Sequence, residues 1–329
     1  MFFTVIVPTY NPTKDLPMLL TSISRNECIN DIEIILSDDC SDEPFDDVIS
    51  SFSMLNIRVI RNEKHAGFPR DGRQNGANAA EGEWICFADQ DDYFVDNAFD
   101  KAKQYIEEKE IHNYLATTII MHAEGSEEYS MFDPTKGWTH GKFYEKSFWD
   151  QYNLGYDDVS YCEDINLSTK TGCVMVVENI PMNIWETPLY IWNKKTDSLS
   201  EGDYLLKSMP DYIRGTIGVI VDYIEKYKFN NDVMEKLTIK FIQTLYHLYF
   251  YFQSDRLTKD RMIVLQSAIY FYPYYEKFKE CTGFTTEILL DRTEGELIEF
   301  FAETRNDDMK QLPFIEKMTF KDWVKAYLN

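Results

Sequence analysis

The chain has 329 residues, of which 44% are hydrophobic, and a formal net charge of −23 at neutral pH. This length and apolar content suffice for one large domain or for a core domain with an appendage. So negative a chain repels nucleic acid and anionic membranes as general partners, and a site for a nucleotide diphosphate would need local positive charge, most simply a divalent cation.

Cysteine usage and the N-terminus favour a cytoplasmic protein. The six cysteines are scattered and form no CxxC pair, so zinc-finger spacing and a dense disulfide framework are both absent. The apolar start of the chain lacks the basic segment and cleavage site of a signal peptide. No apolar run approaches the ~20 residues that a membrane span requires.

The first part of the chain alternates between strand and helix patterns. Apolar, β-branched runs predict strands at 2–7, 32–37, 57–61 and 84–88, and helical spacing predicts helices at 16–24, 45–52 and 72–80. Such alternation implies parallel strands with helices on both faces of the sheet. Ligands of these sheets bind beyond the carboxyl ends of the strands, where polar turns follow three of the predicted strands.

The remainder of the chain changes character at about residue 204. Before it the pattern is mixed, with short strands predicted at 116–121 and 173–177. After it, apolar residues recur at helical spacing in 213–227, 233–252 and 261–271. We therefore predict an α/β domain over residues 1–203 and a mainly helical region over residues 204–329.

The acidic motif Asp89-Gln90-Asp91-Asp92 follows the predicted strand 84–88 directly. Carboxylates placed after a buried strand point into one site, and oxygen ligands of this type suit Mg²⁺ or Mn²⁺. Such an ion would act as a Lewis acid for a departing diphosphate. The alternative is a solvated acidic turn.

Three runs resemble, in order and spacing, the family 2 glycosyltransferases. They are VIVPTYN at 5–11, ILSDDCSD at 35–42 and RQNGANAAEGEWICFADQDD at 73–92. The resemblance implies the GT-A fold, a Rossmann-like mixed sheet flanked by helices, with nucleotide-sugar binding and catalysis in the domain of residues 1–203. It leaves acceptor binding, packing or oligomerisation to the helical region.

The resemblance implies a donor site around the first strands. In such enzymes the loop after the first strand holds the nucleobase and ribose, an acidic pair after the second strand binds uracil, and an arginine before the small-residue helix contacts phosphate or base. The residues at these places are Pro8, Thr9, Tyr10, Asp38, Asp39 and Arg73. A helix N-cap for the acidic pair and a surface salt bridge for Arg73 are the alternatives. The family's usual Arg-Asn is Arg73-Gln74 here.

The resemblance also implies a metal site in the acidic motif. We predict Asp91 as the direct metal ligand, with Asp89 as a second ligand or a ribose contact. Gln90 is predicted to contact the donor, and Asp92 is ranked behind Asp91 and Asp89 as a ligand.

A second acidic motif, Glu163-Asp164, resembles the catalytic carboxylates of the family. An inverting transfer needs a base that takes the proton of the acceptor hydroxyl, a role predicted for Asp164 with Glu163 in support. The alternative is an acidic helix N-terminus stabilised by the helix dipole.

Two segments flank this motif and resemble pocket-lining parts of the family. His140, in the segment 138–144, is predicted to contact the donor sugar or the diphosphate, with a structural histidine as the alternative. Lys195, or its neighbour Lys194, is predicted to neutralise phosphate from the segment 188–200. His65 is assigned no role.

These features predict an inverting transfer of a sugar from a UDP-sugar to an acceptor hydroxyl, with Mn²⁺ or Mg²⁺. The Gln-x-x-Arg-Trp string of processive synthases is absent, which favours a non-processive enzyme. A nucleotidyltransferase-like enzyme and a degenerate nucleotide-sugar-binding module remain alternatives. The acceptor stays open among a glycan, a protein, a lipid-linked molecule and a modified nucleobase.

The helical region carries two further patterns. Aromatic clusters at 246–252 and 270–275 indicate core packing or an acceptor platform. Residues 317–328 form a basic amphipathic pattern that indicates docking on the protein itself or peripheral contact with a membrane. Self-association through the helical region is a further interpretation.

Overall fold

The computed structural model describes residues 1–123, 125–195, 204–252 and 261–284. The chain divides into two compact units, the first of residues 1–168 and 181–201 and the second of residues 169–180 and 202–329. The stretch 169–180, which we had included in the first predicted domain, thus groups with the second unit.

The first unit contains a mixed sheet of nine strands among the described residues. The strands are β1 (Phe3–Thr9), β2 (Ile32–Asp38), β3 (Asn56–Arg61), β4 (Trp84–Phe87), β5 (Tyr93–Phe94), β6 (Tyr114–Ala123), β7 (Tyr129–Phe132), β8 (Lys142–Glu145) and β9 (Asn183–Lys194). Their order is β3-β2-β1-β4-β8-β6-β9-β5, with β7 paired to β6. The first four strands are parallel and β8 runs antiparallel to β4, so the predicted mixed sheet is confirmed.

The first unit has six α-helices among the described residues, of which the first three match the helices predicted at 16–24, 45–52 and 72–80, and the fourth and fifth have no predicted counterpart. They are α1 (Leu16–Ser24), α2 (Asp46–Ser51), α3 (Pro69–Ala79), α4 (Ala98–Glu108), α5 (Lys146–Gln151) and α6 (Glu163–Glu178), the last of which continues into the second unit. The second unit adds α7 (Tyr204–Ile213), α8 (Val219–Tyr227), α9 (Asn231–Phe252) and α10 (Arg261–Thr282), with a π-helical turn at Arg214–Gly218. Of the helices in these described ranges, none is long and apolar enough to cross a membrane.

The strand predicted at 173–177 is wrong, because these residues continue α6. Leu167, Thr171 and Val174 are all buried, and they recur at helical spacing. A short β-branched run cannot be told from a buried helical segment by its own composition. The packing of the preceding turns decides the conformation here.

Small residues let α3 lie directly against β1. A Cβ atom added to Gly76 would lie 2.3 Å from Ile6 Cγ2, and one added to Gly72 would lie 3.0 Å from Pro8 Cβ. Arg73 stands between the two glycines and is itself buried. The close approach of helix and strand therefore places a guanidinium group beneath the carboxyl end of the sheet.

Gly82, between α3 and β4, meets main-chain atoms of β1. An added Cβ would lie 2.6 Å from both the Phe3 carbonyl carbon and the Thr4 nitrogen. Displacing backbone atoms of a central strand costs free energy because the surrounding core is close-packed. We expect Gly82→Ala to lower the free energy of unfolding by about 2 kcal/mol, as overpacking does. Urea unfolding followed by circular dichroism measures it.

Gly137→Ala is the matched control, since its added Cβ would meet ordinary contacts, the nearest at 3.5 Å. We expect this variant to unfold within about 0.5 kcal/mol of the wild type. Equal losses in the two variants would contradict the packing argument.

Candidate active site

The loop after β1 is clamped to the acidic motif after β4. The Tyr10 N–H donates to Gln90 Oε1 at 2.8 Å, and Gln90 Nε2 donates to the Tyr10 carbonyl oxygen at 3.0 Å. Gln90, predicted as a donor contact, thus joins the two loops through its own amide.

Asp39 holds the loop of residues 62–67 against the end of β2. Its carboxylate accepts from the N–H groups of Ala66 and Gly67, each at 2.8 Å, and from Asn62 Nδ2 at 2.9 Å. Burial opposes ionisation, but these donors hold the pKa of Asp39 below its usual range. Any uracil contact of Asp39 would be made beside this loop.

Asp38 is buried in the turn that follows β2. Its Oδ1 accepts from the Ser41 N–H at 3.0 Å, and its Oδ2 lies 3.1 Å from Arg61 Nη1. The helix N-cap interpretation is wrong, because the residue at the N-cap of α2 is Phe45. Asp38 shapes the turn that carries Asp39.

Tyr10 and His65 form an exposed pair of rings at this end of the sheet. Their ring centres lie 4.5 Å apart, and the Tyr10 hydroxyl donates to Asp42 Oδ2 at 2.9 Å. His65 Nδ1 lies 2.9 Å from the Asp39 carbonyl oxygen. The buried Thr9 accepts the Asp39 N–H through its own carbonyl at 2.8 Å. The sequence pattern missed His65, because only the tertiary path of its loop brings it to Tyr10.

Arg73 joins the two acidic motifs. Its Nη2 donates to Asp89 Oδ1 at 2.7 Å and its Nη1 donates to Glu163 Oε1 at 2.5 Å, and the side chain is 3% exposed. The surface salt-bridge interpretation is therefore wrong. Burial lowers the pKa of Arg73, but the charges of Asp89 and Glu163 raise it above its usual range, so the group stays a cation.

Three side chains converge into a group that could hold a metal ion. Asp89, Asp92 and His140 each offer a ligand atom, and these atoms lie within 4.8 Å of one another. His140 Nε2 lies 3.2 Å from Asp89 Oδ2. Asp92 is oriented by the Tyr190 hydroxyl at 2.5 Å and the Asn193 N–H at 2.8 Å.

The electrostatics of this group fit a divalent cation. Burial and the charge of Asp89 raise the pKa of Asp92 to about 7. Burial and Asp89 also raise the pKa of Asp91. Burial opposes ionisation of Asp89, but Arg73 and His140 hold its pKa well below the usual range. Crowded carboxylates of this kind gain stability from a bound cation.

Asp91 lies beside this group and faces a lysine. Lys195 Nζ lies 3.3 Å from Asp91 Oδ2 and 2.9 Å from Asp15 Oδ1. Asp91 as the direct metal ligand stays a prediction, while the geometry brings Asp92 and His140 to Asp89 instead. Lys195 sits where a positive charge could reach a diphosphate.

Glu163 and Asp164 form the first turn of α6. Glu163 is buried against Arg73, whereas Asp164 is partly exposed and accepts from the Ile165 N–H at 2.8 Å. Burial and the neighbouring Glu163 raise the pKa of Asp164 to about 7, against the opposite effect of Arg73. A carboxyl that titrates near neutral pH suits a general base.

Gln74 fixes the loop that leads into α6. Its Oε1 accepts the Tyr156 N–H at 2.9 Å, and a Cβ atom on Gly155 would lie 2.4 Å from the same oxygen. Asn166 Oδ1 accepts the Asp157 N–H at 2.9 Å from the other side. The glutamine that departs from the usual Arg-Asn pair therefore reaches a loop 82 residues away.

Comparisons with known proteins agree with this arrangement. Residues 4–162 match the sequence model of the family described as "Glycosyl transferase family 2". An uncharacterized glycosyltransferase of Haemophilus influenzae is 35% identical over 111 residues, 34% of this chain and 36% of that protein. Poly(ribitol-phosphate) beta-N-acetylglucosaminyltransferase TarS of Staphylococcus aureus is 34% identical over 110 residues, 33% of this chain and 19% of that protein.

The crystal structure of S. aureus TarS 1-349 in complex with UDP-GlcNAc has a similar fold. It superposes with a TM-score of 0.66 at 18% identity and covers 98% of this chain and 95% of that chain.

The fold and the site define a GT-A domain with its acidic motifs at the carboxyl ends of the strands. Residues 4–162, just under half of the chain, are similar in sequence to glycosyl transferase family 2. The matched segments span only 36% and 19% of the lengths of these two curated relatives.

Removal of the Arg73 charge should destabilise the site. Arg73→Gln removes the cation shared by Glu163 and Asp89, whose side chains are 11% and 34% exposed, and breaking such a largely buried bridge costs about 3–5 kcal/mol of unfolding free energy. Arg73→Lys keeps a charge but loses the forked geometry, so we expect an intermediate loss. Urea unfolding measures both.

Arg70→Gln is the control on the same helix. Its partner carboxylates, Asp71 and Asp158, are 43% and 94% exposed, so we expect a loss below about 1 kcal/mol. Indistinguishable losses at positions 70 and 73 would show that the buried bridge does not stabilise the fold.

Proposed function

We propose that the protein is a metal-dependent, inverting glycosyltransferase that transfers one sugar from a UDP-sugar to an acceptor hydroxyl. The observation that carries the proposal is the Arg73 bridge. It joins Asp89, a member of the group that could hold a cation, to Glu163 of the carboxylate pair that directly follows the segment matching family 2. The similar fold of a protein crystallised with UDP-GlcNAc supports a UDP-sugar donor.

Asp89, Asp92 and His140 together offer two carboxylate oxygens and one imidazole nitrogen as ligand atoms. The carboxylate oxygens suit Mn²⁺ or Mg²⁺. An ion held there would neutralise the nucleoside diphosphate as it departs. Lys195, anchored between Asp15 and Asp91, adds a positive charge on the same side. The three groups converge without Asp91, so we assign Asp91 to the pairing with Lys195.

The uridine side of the donor is assigned to the loops after β1 and β2. The exposed Tyr10 ring offers an apolar face to a nucleobase, and Asp39 offers a carboxylate to its N–H. Pro8 and Thr9 shape the floor beneath them. Arg73 has both Nη groups engaged by carboxylates, so we assign it a positioning role and not a phosphate contact.

Asp164 is assigned the proton chemistry. The acceptor oxygen forms a bond to the anomeric carbon from the face opposite the diphosphate, the bond to the diphosphate oxygen breaks, and the hydroxyl proton passes to the Asp164 carboxylate. Glu163 is held by Arg73, which fixes the first turn of α6 and therefore the position of Asp164.

Nucleotide binding and product analysis test the proposal. The full chain with UDP-GlcNAc and Mn²⁺ should release UDP, slowly to water alone, and excess chelator should stop the release. Other UDP-sugars identify the preferred donor. In a parallel assay with UTP and a sugar 1-phosphate, release of pyrophosphate would instead favour nucleotidyl transfer. No turnover in either assay would favour a binding module.

Single substitutions test which residues hold the ion. We expect Asp89→Asn, Asp92→Asn and His140→Ala each to weaken Mn²⁺-dependent UDP binding at least tenfold in calorimetric titrations, because each removes a ligand atom. Asp96→Asn, an exposed carboxylate near the motif, is the control and should bind normally. If Asp91→Asn abolishes binding and Asp92→Asn does not, the ion is held as first predicted from the sequence.

The rate should depend on pH through Asp164. Its raised pKa means that the basic, ionised form predominates only above about pH 7, so kcat/KM for UDP-GlcNAc hydrolysis should rise as the pH passes through about 7. Asp164→Asn should remove this rise and the turnover while keeping Mn²⁺-dependent UDP binding. A pH profile unchanged by Asp164→Asn would assign the base to another group.

A further inference from the structure

The far end of the sheet presents an open face with aromatic side chains. Cross-strand pairing sets Tyr93, Ile191, Ile120 and Met131 in one transverse row over β5, β9, β6 and β7. The next row on the same face contains Asn193, His122 and Tyr129. Side chains two residues apart on a strand share a face, so the two rows are adjacent. We call these seven residues the sheet platform.

The sheet platform is open to solvent. All seven side chains are at least partly accessible, and Tyr129 and Met131 are 58% and 65% exposed. The opposite face of the same strands is different, since Ile119 and Tyr190 are fully buried there. An exposed apolar face on a domain with a complete core indicates a binding surface.

Its rings are arranged for a flat ligand with hydroxyl groups. Tyr129 and His122 stack with ring centres 4.7 Å apart and planes 16° apart. His122 Nε2 lies 3.0 Å from the Ser126 carbonyl oxygen, which fixes the proton on that nitrogen. His122 Nδ1 is then an acceptor, with the Tyr93 hydroxyl 3.5 Å away. Aromatic faces flanked by hydroxyl and imidazole groups match the apolar and polar faces of a sugar ring.

The sheet platform is continuous with the candidate active site. Asn193 belongs to its second row, and its N–H and side-chain amide hydrogen-bond Asp92 Oδ1 and the Asp91 carbonyl oxygen. Tyr93 follows Asp92 directly in the chain. A molecule on the platform would therefore reach toward the residues that hold the donor.

The carboxylates next to Tyr129 favour a neutral ligand at this end of the sheet platform. Glu127 and Glu128 are both exposed directly before Tyr129 in the chain. These carboxylates repel phosphate or uronate groups at short range.

We propose that the sheet platform binds a neutral saccharide ring of the acceptor. The proposal rests on the proposed glycosyl transfer and adds the chemical class of the acceptor to it. Tyr129 carries the stacking face, His122 supports it from the neighbouring strand, and Tyr93 connects the platform to the acidic motif.

Saturation-transfer NMR on the full chain tests the platform, with cellotriose, maltotriose and chitotriose as probes and a hyaluronan tetrasaccharide as the anionic comparison. We expect at least one neutral probe to show transfer to its ring C–H protons, and the anionic one to show none. Tyr129→Ala should weaken the binding at least fivefold, and Tyr129→Phe, which keeps the ring face, should stay within about twofold.

Tyr270→Ala removes a comparably exposed tyrosine on α10 and should leave binding unchanged. Three outcomes would overturn the proposal: no neutral probe binds to the wild type, the anionic probe alone binds, or Tyr129→Ala and Tyr270→Ala weaken binding equally. Mn²⁺-dependent UDP binding and release, measured on the same samples, report on the glycosyltransferase proposal separately. Tyr129→Ala should leave that UDP binding intact. A loss of both saccharide binding and UDP binding would indicate misfolding, which circular dichroism detects. The Tyr129→Phe variant then decides whether the ring face binds the saccharide.

Discussion

One buried cation organises the site. Arg73 lies out of water between Asp89 and Glu163, and an isolated charge of either sign could not remain there at acceptable cost. The requirement that these three groups meet fixes the end of β4 and the first turn of α6 relative to each other. The glycines of α3 make the meeting possible, because only a helix without side chains on that face can approach β1 closely enough.

The environment gives similar carboxyl groups different tasks. Asp89, beside Arg73 and His140, stays ionised, whereas Asp92 and Asp164, each close to another carboxylate, have pKa values of about 7. A site that keeps one acid permanently charged and another near its titration point can hold a cation and move a proton at the same pH. Neither property belongs to the aspartate side chain itself, since both arise from its neighbours.

Local pattern predicted the first four strands and first three helices, because these strands are short apolar runs that end in polar turns. The four parallel strands, and the convergence of the acidic turns that follow them, are implied by this alternation of apolar runs and polar turns. The place of β8 in the sheet depends on antiparallel pairing with β4 and β6, which are distant in the chain. His140 lies just before β8, so its position depends on the same pairing. The contact of Gln74 with Tyr156 is of the same kind. The strand prediction at 173–177 is wrong because local composition there favours a strand, whereas burial along α6 makes these residues helical.

The paired hydrogen bonds between Gln90 and Tyr10 have a thermodynamic consequence. They tie the main chain of the loop after β1 to the Gln90 side chain of the acidic motif, so neither can shift without breaking both bonds. Ligands that order two mechanically joined loops share one ordering cost, and their affinities are then linked in both directions. Under the proposed function, the Gln90 amide would therefore couple the affinities for cation and nucleotide without having to touch either of them.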